Sequence, residues 1–282
     1  DVYLKAEGSI LDSNDTDDAN VVGKNITLDA INGGIGTLDN FLDIDSGISA
    51  AGKVDATAEG SIYLYEEEGD LNAGLISSLT GDIYLKAQGN ITDHYNTDLV
   101  NVIGNNITLV AITGGIGTID NFLDIIAKGV LNAAAVRDIF IYEIIGAMDV
   151  GVVTSTTGDV YLKAAGSVLD SMNTDAANVI GKNITLVSIL GSIGEETNFL
   201  DVVATGVVNA AALGDIFIYE IIGNMDVGVV TSAVGDIYLR AAGSILNGND
   251  NDDANVIGKN ITLEAINGGI GAIDNFLDII AA

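Results

Sequence analysis

A short polar segment recurs four times in the sequence, and its acidic and amide side chains are the ones best suited to chemistry. The copies read DSNDTDDAN from Asp12, DHYNTDLVN from Asp93, DSMNTDAAN from Asp170 and NGNDNDDAN from Asn247. Oxygen ligands at such spacing in a tight loop are what Ca²⁺ binds. The sequence therefore indicates a candidate calcium site in each of the two outer copies, with these ligands: Asp12, Asp15, Asp17, Asp250 and Asp252.

The same segment also fits a plain solvated turn, because Asp and Asn side chains bond to their own backbone. The two middle copies carry less charge, and no glycine stands at the sharp bend that an EF-hand loop requires. The plain turn is favoured, and calcium is the one cofactor that the sequence raises.

Enzyme chemistry finds little support in the remaining residues. The single histidine, His94, belongs to one copy of the polar segment, and there is no cysteine or tryptophan. The pair Glu195 and Glu196 and the run Glu66 to Glu68 fall in predicted turns and are expected to be solvated. We predict a protein that is not an enzyme, and a carbohydrate-active β-helix with clustered carboxylates is kept as an alternative.

These residues are carried by a unit that repeats along the whole chain. The stretch GDVYLKAAGSVLDSMNTDAANVIGKNITL recurs with its opening aspartate at Asp1, Asp82, Asp159 and Asp236, the later copies 77 residues apart. A fixed long period is typical of a solenoid. We predict one β-solenoid over 1–282 with repeat units 1–81, 82–158, 159–235 and a partial 236–282. The chain begins and ends inside a repeat, which indicates a piece of a longer protein.

Alternating apolar and polar residues within each unit predict half-buried strands. The strand starts are 24, 32 and 21 residues apart in the third unit. These spacings predict an all-β chain, a right-handed parallel β-helix of about eleven coils with three coils in each 77-residue super-repeat. Recurrent glycine and β-branched residues argue against a helical alternative. The inward residues should stack on like residues of the next coil: Ile83, Leu85, Ala87, Ile107, Leu109, Ala111, Ile139 and Ile141.

Three smaller features accompany the repeat. The first unit has four extra residues between Asn40 and Ser61, which should bulge outward. The motif GGIG at Gly33, Gly114 and Gly268 predicts a glycine turn rather than the tandem calcium nonapeptide of RTX proteins. The tripeptide Asn-Ile-Thr is formally a glycosylation acceptor, but stacked amide side chains at a coil corner explain its recurrence better. Its copies begin at Asn25, Asn90, Asn106, Asn183 and Asn260.

The net charge and the outward residues limit the kinds of partner that the protein is expected to bind. The formal net charge is −30, which argues against nucleic acid and anionic membranes, and no apolar run is long enough for membrane insertion. One set of outward residues is expected to form a single column along the solenoid: Tyr84, Thr108, Phe140, Tyr161, Thr185, Phe217, Tyr238 and Thr262. An apolar band of this kind predicts self-association or contact with a neighbouring solenoid. The partner-contact residues would be Tyr84, Phe140, Tyr142, Tyr161, Phe217, Tyr219 and Tyr238.

The phrases GDIYLKAQGNI, NNITLVAITGGIGTIDNFLDI and GDVYLKAAGSVLD resemble the repeats of large secreted bacterial adhesins of the filamentous haemagglutinin type. The resemblance covers essentially the whole chain. It implies a bacterial extracellular or cell-surface scaffold, a right-handed β-helix serving as an adhesin stalk or filament, with a surface receptor or glycan among its partners. A self-assembling extracellular fibre that stacks end to end is the alternative.

Overall fold

A computed structural model describes residues 1–14, 16, 18–47, 52–249 and 251–281. Within these residues the chain forms β-strands and turns and no α-helix, so the helical alternative is wrong. Parallel strands stack as a β-solenoid of about 12 turns, which confirms the predicted fold class with slightly more turns than expected. No helix among the described residues is long and apolar enough to cross a membrane. Contacts divide the chain into two compact units, Asp1–Ile144 and Ile145–Ala282.

The first unit contains two parallel sheets. Sheet A has the strand order β1-β3-β5-β7-β10-β12-β14, with β9 also on β7, and sheet B has the order β2-β4-β6-β8-β11-β13. The strands are β1 (Val2–Ala6), β2 (Val21–Val22), β3 (Ile26–Ala30), β4 (Leu42–Asp45), β5 (Lys53–Ala58), β6 (Ile62–Glu66), β7 (Leu71–Ser78), β8 (Ile83–Ala87), β9 (Ile91–Asp93), β10 (Val102–Gly104), β11 (Ile107–Ala111), β12 (Leu123–Ala127), β13 (Val130–Ala135) and β14 (Ile139–Glu143). Apart from β9 and β10, which both pair with β7 in sheet A, successive strands alternate between the two sheets.

The second unit is built in the same way. Sheet C has the order β16-β19-β21-β23-β26-β28, with β25 also on β23, and sheet D has the order β15-β18-β20-β22-β24-β27, with β17 also on β15. The strands are β15 (Met148–Ser155), β16 (Val160–Ala164), β17 (Val168–Asp170), β18 (Val179–Gly181), β19 (Ile184–Ser188), β20 (Leu200–Ala204), β21 (Val207–Ala212), β22 (Ile216–Glu220), β23 (Met225–Ser232), β24 (Ile237–Ala241), β25 (Ile245–Asn247), β26 (Val256–Gly258), β27 (Ile261–Ala265) and β28 (Ile279–Ala281).

The core of each unit lies between its sheets and follows the alternation of the sequence. Strand β8 buries every second residue, and β11 does the same in register with it, so Ile107 stacks on Ile83 and Leu109 on Leu85. All eight residues predicted to point inward are buried. Burial of an aliphatic side chain contributes about 1.5 to 3 kcal/mol, so each added turn extends a continuous dry column that offsets the entropy of ordering it.

The number of turns in a repeat differs from the predicted three. In the described part of the first unit, β1 and β8 carry the same motif, yet β1 lies in sheet A and β8 in sheet B. The second unit repeats the arrangement, with β16 in sheet C and β24 in sheet D. Each repeat therefore spans three and a half turns, and the three-coil super-repeat is wrong. The error lies in the 32-residue interval, where β12 and β13 add a half turn between β11 and β14.

The stacking of Ile139 is corrected for the same reason. Ile83 and Ile107 share sheet B, whereas Ile139 belongs to β14 of sheet A. There Ile139 bridges to Ile116, which bridges in turn to Ile91, and all three isoleucines are buried. The columns of like residues are real, but they number more than the sequence indicated.

Two local predictions concern turns and the insertion. Gly117 of the second GGIG motif has a φ of 62°, and a Cβ there would stand 2.3 Å from the carbonyl oxygen of Phe140. A side chain fits neither the angle nor the space, so the glycine turn is confirmed. The predicted bulge falls between Asn40 and Ser61, where residues 48–51 lie outside the described residues. The flanking strands β4 and β5 keep their places in the ladders.

The polar corner as candidate functional site

The four polar segments form the same hydrogen-bonded turn, here called the polar corner. In the third copy, Asp170 Oδ1 accepts hydrogen bonds from the Met172 N–H at 2.6 Å and from Asn178 Nδ2 at 2.5 Å. The other copies repeat both bonds, on Asp12 Oδ1, Asp93 Oδ1 and Asn247 Oδ1. The first oxygen of each acid or amide is therefore engaged by its own loop, as the plain-turn interpretation predicts.

The asparagine that closes each corner ties three turns together. Asn178 is 0% exposed, and its Nδ2 also donates to the Val150 carbonyl of the preceding turn at 3.1 Å. Its Oδ1 accepts the N–H of Asp201, in the following turn, at 3.0 Å. Asn101 and Asn255 make equivalent bonds. A buried amide with these partners is satisfied, and it fixes the spacing of neighbouring turns.

The residues predicted to bind calcium are only partly placed by the structure. Asp15, Asp17 and Asp250 lie outside the described residues, Asp12 is half-buried, and Asp252 is exposed. Among the described residues, no three acidic or histidine side chains converge in a way that could hold a metal ion. Calcium binding by the outer copies stays a prediction.

A second set of aspartates lies next to the polar corners and was not recognised in the sequence. Asp43, Asp124 and Asp201 follow the leucine of the LDI or LDV strands, and all three are buried. Burial, and after it the negative charges of Asp170 and Asp175, raise the pKa of Asp201 to about 7, while Arg240 acts in the opposite direction. The third corner therefore holds two buried aspartates, Asp170 and Asp201, that both bond Asn178.

Three glutamates are buried at strand ends, and for Glu66 this corrects the expectation of a solvated side chain. Glu66, Glu143 and Glu220 are 0% exposed. The carboxylate of Glu66 accepts the Ser46 N–H, and Glu220 accepts the N–H groups of Ala204 and Ile222. Burial outweighs these bonds and raises the pKa of Glu66 to about 7 and of Glu220 to about 8.

The Asn-Ile-Thr asparagines form a further ladder at another corner. Asn183 Nδ2 donates to Asp159 Oδ1 at 2.9 Å, and Asn183 Oδ1 accepts the Val207 N–H of the following turn at 3.0 Å. The copies at Asn25, Asn90, Asn106 and Asn260 donate to the corresponding aspartates, Asp1, Asp70, Asp82 and Asp236. The amides recur at a corner as predicted, but each bonds an aspartate rather than stacking on another amide.

The remaining residues considered for chemistry are one histidine and a pair of exposed glutamates. His94 Nδ1 is 3.0 Å from Asn72 Nδ2, and its ring lies edge-on against Tyr95. Glu195 belongs to a tight turn in which its backbone pairs with Asn198, and both Glu195 and Glu196 are exposed. Among the described residues, none of these side chains belongs to a group of three that could hold a metal ion.

The outward aromatic residues do not form one column, because a repeat of three and a half turns places equivalent strands in different sheets. In the second unit Tyr161 and Thr185 pair in sheet C, whereas Phe217, Tyr238 and Thr262 align in sheet D. In the first unit Tyr84 and Thr108 pair in sheet B, whereas Phe140 belongs to sheet A. The seven residues predicted to contact a partner are all half-buried.

Aromatic residues from neighbouring turns cover part of these side chains. The Phe199 ring lies 5.5 Å from that of Phe217 and 5.0 Å from that of Tyr238. Phe41 packs edge-on against Tyr63 and Tyr84 in the same way. The guanidinium of Arg240 stands 4.7 Å from the centre of the Tyr219 ring. These rings contribute to the packing of their own chain, and a partner role stays a prediction.

Comparison of the chain with protein-family models, curated proteins and solved structures found no match. The fold and the corner geometry therefore carry the functional argument.

Proposed function

We propose that the chain is a non-catalytic structural scaffold, a stalk or filament segment of a secreted or cell-surface adhesin-like protein. The observation that carries the proposal is the polar corner, where buried asparagines such as Asn178 bond three turns at once. Residue types that could have served catalysis are used here to hold adjacent turns together. The sequence resemblance to secreted bacterial adhesins supports the extracellular setting.

A structural role also explains why the same bonds recur in every repeat. A catalytic site needs one constellation, whereas a load-bearing solenoid needs each turn fastened to the next. The Asn183 ladder and the Asn178 ladder provide such fastening at two corners. Between them, parallel strands in register give an unbroken series of backbone hydrogen bonds.

Single-molecule stretching of the whole chain between two handles tests this function. The chain should resist force and then open in discrete steps of about one turn, each releasing roughly 70 to 80 Å of extended backbone. The variant Asn178→Ala should lower the force of the steps, and Thr174→Ala, an exposed position in the same loop, should not. Smooth extension at low force would contradict a load-bearing role, and so would turnover of a polysaccharide by the purified chain.

The proposed lateral contact can be tested on one sheet at a time. Phe217, Tyr219 and Tyr238 lie in sheet D, whereas Tyr161 lies in sheet C. Changing Phe217 and Tyr219 to Ser should reduce lateral association more than Tyr161→Ser if sheet D carries the interface. Sedimentation of the variants measures it, and unchanged association in both would refute an aromatic interface.

A further inference from the structure

One carboxylate oxygen in the third polar corner is buried without a hydrogen-bond partner. Asp170 is 9% exposed, and its Oδ2 makes no hydrogen bond although its Oδ1 makes two. The second corner repeats this, with Asp93 8% exposed and its Oδ2 likewise without a partner. In the first corner Asp12 Oδ2 also lacks a partner, but Asp12 is half-buried and its loop includes residues outside the described part of the chain. An unpaired buried carboxylate oxygen is costly, and its recurrence calls for a common explanation.

The fourth corner shows what lies beyond this oxygen. There Asn247 replaces the aspartate and makes the same two bonds through Oδ1, while its Nδ2 donates to the Phe276 carbonyl oxygen at 2.8 Å. The residue equivalent to Phe276 in the third corner is Phe199, because Asn198 Nδ2 donates to the Asp170 carbonyl as Asn275 Nδ2 donates to the Asn247 carbonyl. By this equivalence Asp170 Oδ2 faces the Phe199 carbonyl. Two oxygen atoms then face each other where the fourth corner has an N–H, and a positive charge between them would satisfy both.

A second buried aspartate is bonded to the same corner. Asp201 is 4% exposed, and its backbone N–H bonds the same Asn178 side chain that bonds Asp170. In the first unit Asp124 is 3% exposed, and the Asn101 side chain joins its N–H to Asp93 in the same way.

We propose that a Ca²⁺ ion binds at each of these two inner corners. In the second unit the ligands are Asp170 Oδ2, the Phe199 carbonyl and the Asp201 carboxylate. In the first unit they are Asp93 Oδ2, the Phe122 carbonyl and the Asp124 carboxylate. Carboxylate and carbonyl oxygens are the donors that Ca²⁺ takes, and water completes its six to eight ligands. The site needs two carboxylates and a carbonyl rather than three converging acids.

The proposal places calcium at the inner corners, in addition to the outer corners where the sequence placed it. It also explains the amide at Asn247, because an Nδ2 group supplies by a hydrogen bond what the ion supplies elsewhere. The ion would join the corner of one turn to the strand of the next, so its binding should stabilise the folded chain.

Calorimetric titration of the chelator-stripped chain with CaCl₂ tests the proposal. Asp170→Asn copies the fourth corner and should fold, and it should lower the number of bound ions by one. Asp93→Asn with Asp170→Asn should lower the number by two and abolish the corresponding gain in melting temperature. Asn247→Asp should add a site, because Asp278 and the Phe276 carbonyl are already in place. The exposed control Glu196→Gln should leave the number unchanged.

Three outcomes would overturn the site. The first is no saturable binding by the wild type. The second is an ion count that falls as much in Glu196→Gln as in Asp170→Asn, which would indicate diffuse attraction to the acidic surface. The third is an Asp170→Asn variant that melts higher at neutral pH while calcium changes neither protein, which would assign a proton rather than a cation to the corner. None of these outcomes bears on the stretching experiment, so the structural function and the ion site stand or fall separately.

Discussion

Two buried polar positions of the second unit solve the same problem in different ways. Asn178 at the polar corner and Glu220 at the end of β22 are both 0% exposed, and both bond the backbone of neighbouring turns. Asn178 is neutral at every pH and finds partners for both of its polar atoms. Glu220 accepts two N–H groups, yet burial still raises its pKa to about 8.

The difference separates two kinds of contribution to stability. The amide holds its turns at any pH, because it exchanges no proton with solvent. The glutamate is accommodated most easily when protonated, because a charge in this place loses its hydration. The asparagine corners should therefore set a constant part of the stability, and the buried acids should set a part that depends on pH.

The largest expected effect comes from Asn178→Ala. The substitution leaves the Asp201 N–H, the Val150 carbonyl and Asp170 Oδ1 without their shared partner. The Val150 carbonyl keeps its bonds from Ser171, and Asp170 Oδ1 keeps the Met172 N–H, so the Asp201 N–H is the group left unsatisfied. That buried donor costs about 1 to 3 kcal/mol and each of the other two lost bonds about 1 kcal/mol, so the free energy of unfolding should fall by roughly 3 to 5 kcal/mol. Urea denaturation should show this loss equally at pH 5 and pH 8. The exposed control Thr174→Ala should change stability by less than about 0.5 kcal/mol, and a strongly pH-dependent loss would break the comparison.

The next effect concerns the buried glutamates, whose contribution to stability should depend on pH. The pKa of a glutamate in the unfolded chain is about 4.5, whereas burial raises the pKa of Glu66 to about 7 and that of Glu220 to about 8. Between these values the unfolded chain releases protons more readily, so stability should fall as pH rises from about 5 to 8 and then level off. The fall should be on the order of 1 kcal/mol per pH unit for each group.

Glu220→Gln sharpens this test. Glutamine keeps an acceptor for the Ala204 N–H and cannot ionise. The variant should be more stable than the wild type at pH 8 by on the order of 2 to 4 kcal/mol and should show a flatter pH profile. Glu196→Gln is the exposed control and should change neither quantity. A wild type that gains stability from pH 5 to pH 8 would show that the buried acids do not behave in this way.

The smallest effect is expected at a neutral hydroxyl. Ser188 Oγ at the end of β19 donates to the Gly166 carbonyl at 2.7 Å and accepts the Gly191 N–H at 3.1 Å. Ser188→Ala should cost about 1 kcal/mol, the usual net value of such bonds. Because the hydroxyl does not titrate, the cost should be the same at pH 5 and pH 8, which thermal melts at the two pH values can verify.

The sequence predicted the interior where the residue type agreed with the alternation. Ile83, Leu85 and Ala87 were placed correctly by their parity in the strand. Glu66 has the same parity as Ile62 and Leu64 in β6, so the pattern itself pointed inward. The prediction failed because an acidic residue was assumed to be solvated, which is the usual case but not the rule for a group whose pKa can shift.

The turn count and the corner bonds could not be obtained in the same way. Strands β8, β11 and β14 each begin with an isoleucine that follows Asp or Asn. Strand β13, with the sequence VLNAAA, lacks this signal, so the sequence did not reveal the extra half turn. The recurrence of Asn178 was visible, but its partners are 23 to 28 residues away along the chain. Only the stacking of turns shows that one amide reaches both neighbours.

Disulfide trapping tests the central claim, a solenoid with three and a half turns in each repeat, most directly. The chain has no cysteine, and Thr185 in β19 is the register partner of Asn209 in β21. Adjacent strands lie about 4.8 Å apart, within the range that a disulfide spans. Cysteines replacing Thr185 and Asn209 should crosslink rapidly under mild oxidation, whereas cysteines replacing Thr185 and Phe217, neighbours in a three-coil repeat, should not. Efficient crosslinking of the second pair and none of the first would contradict the account.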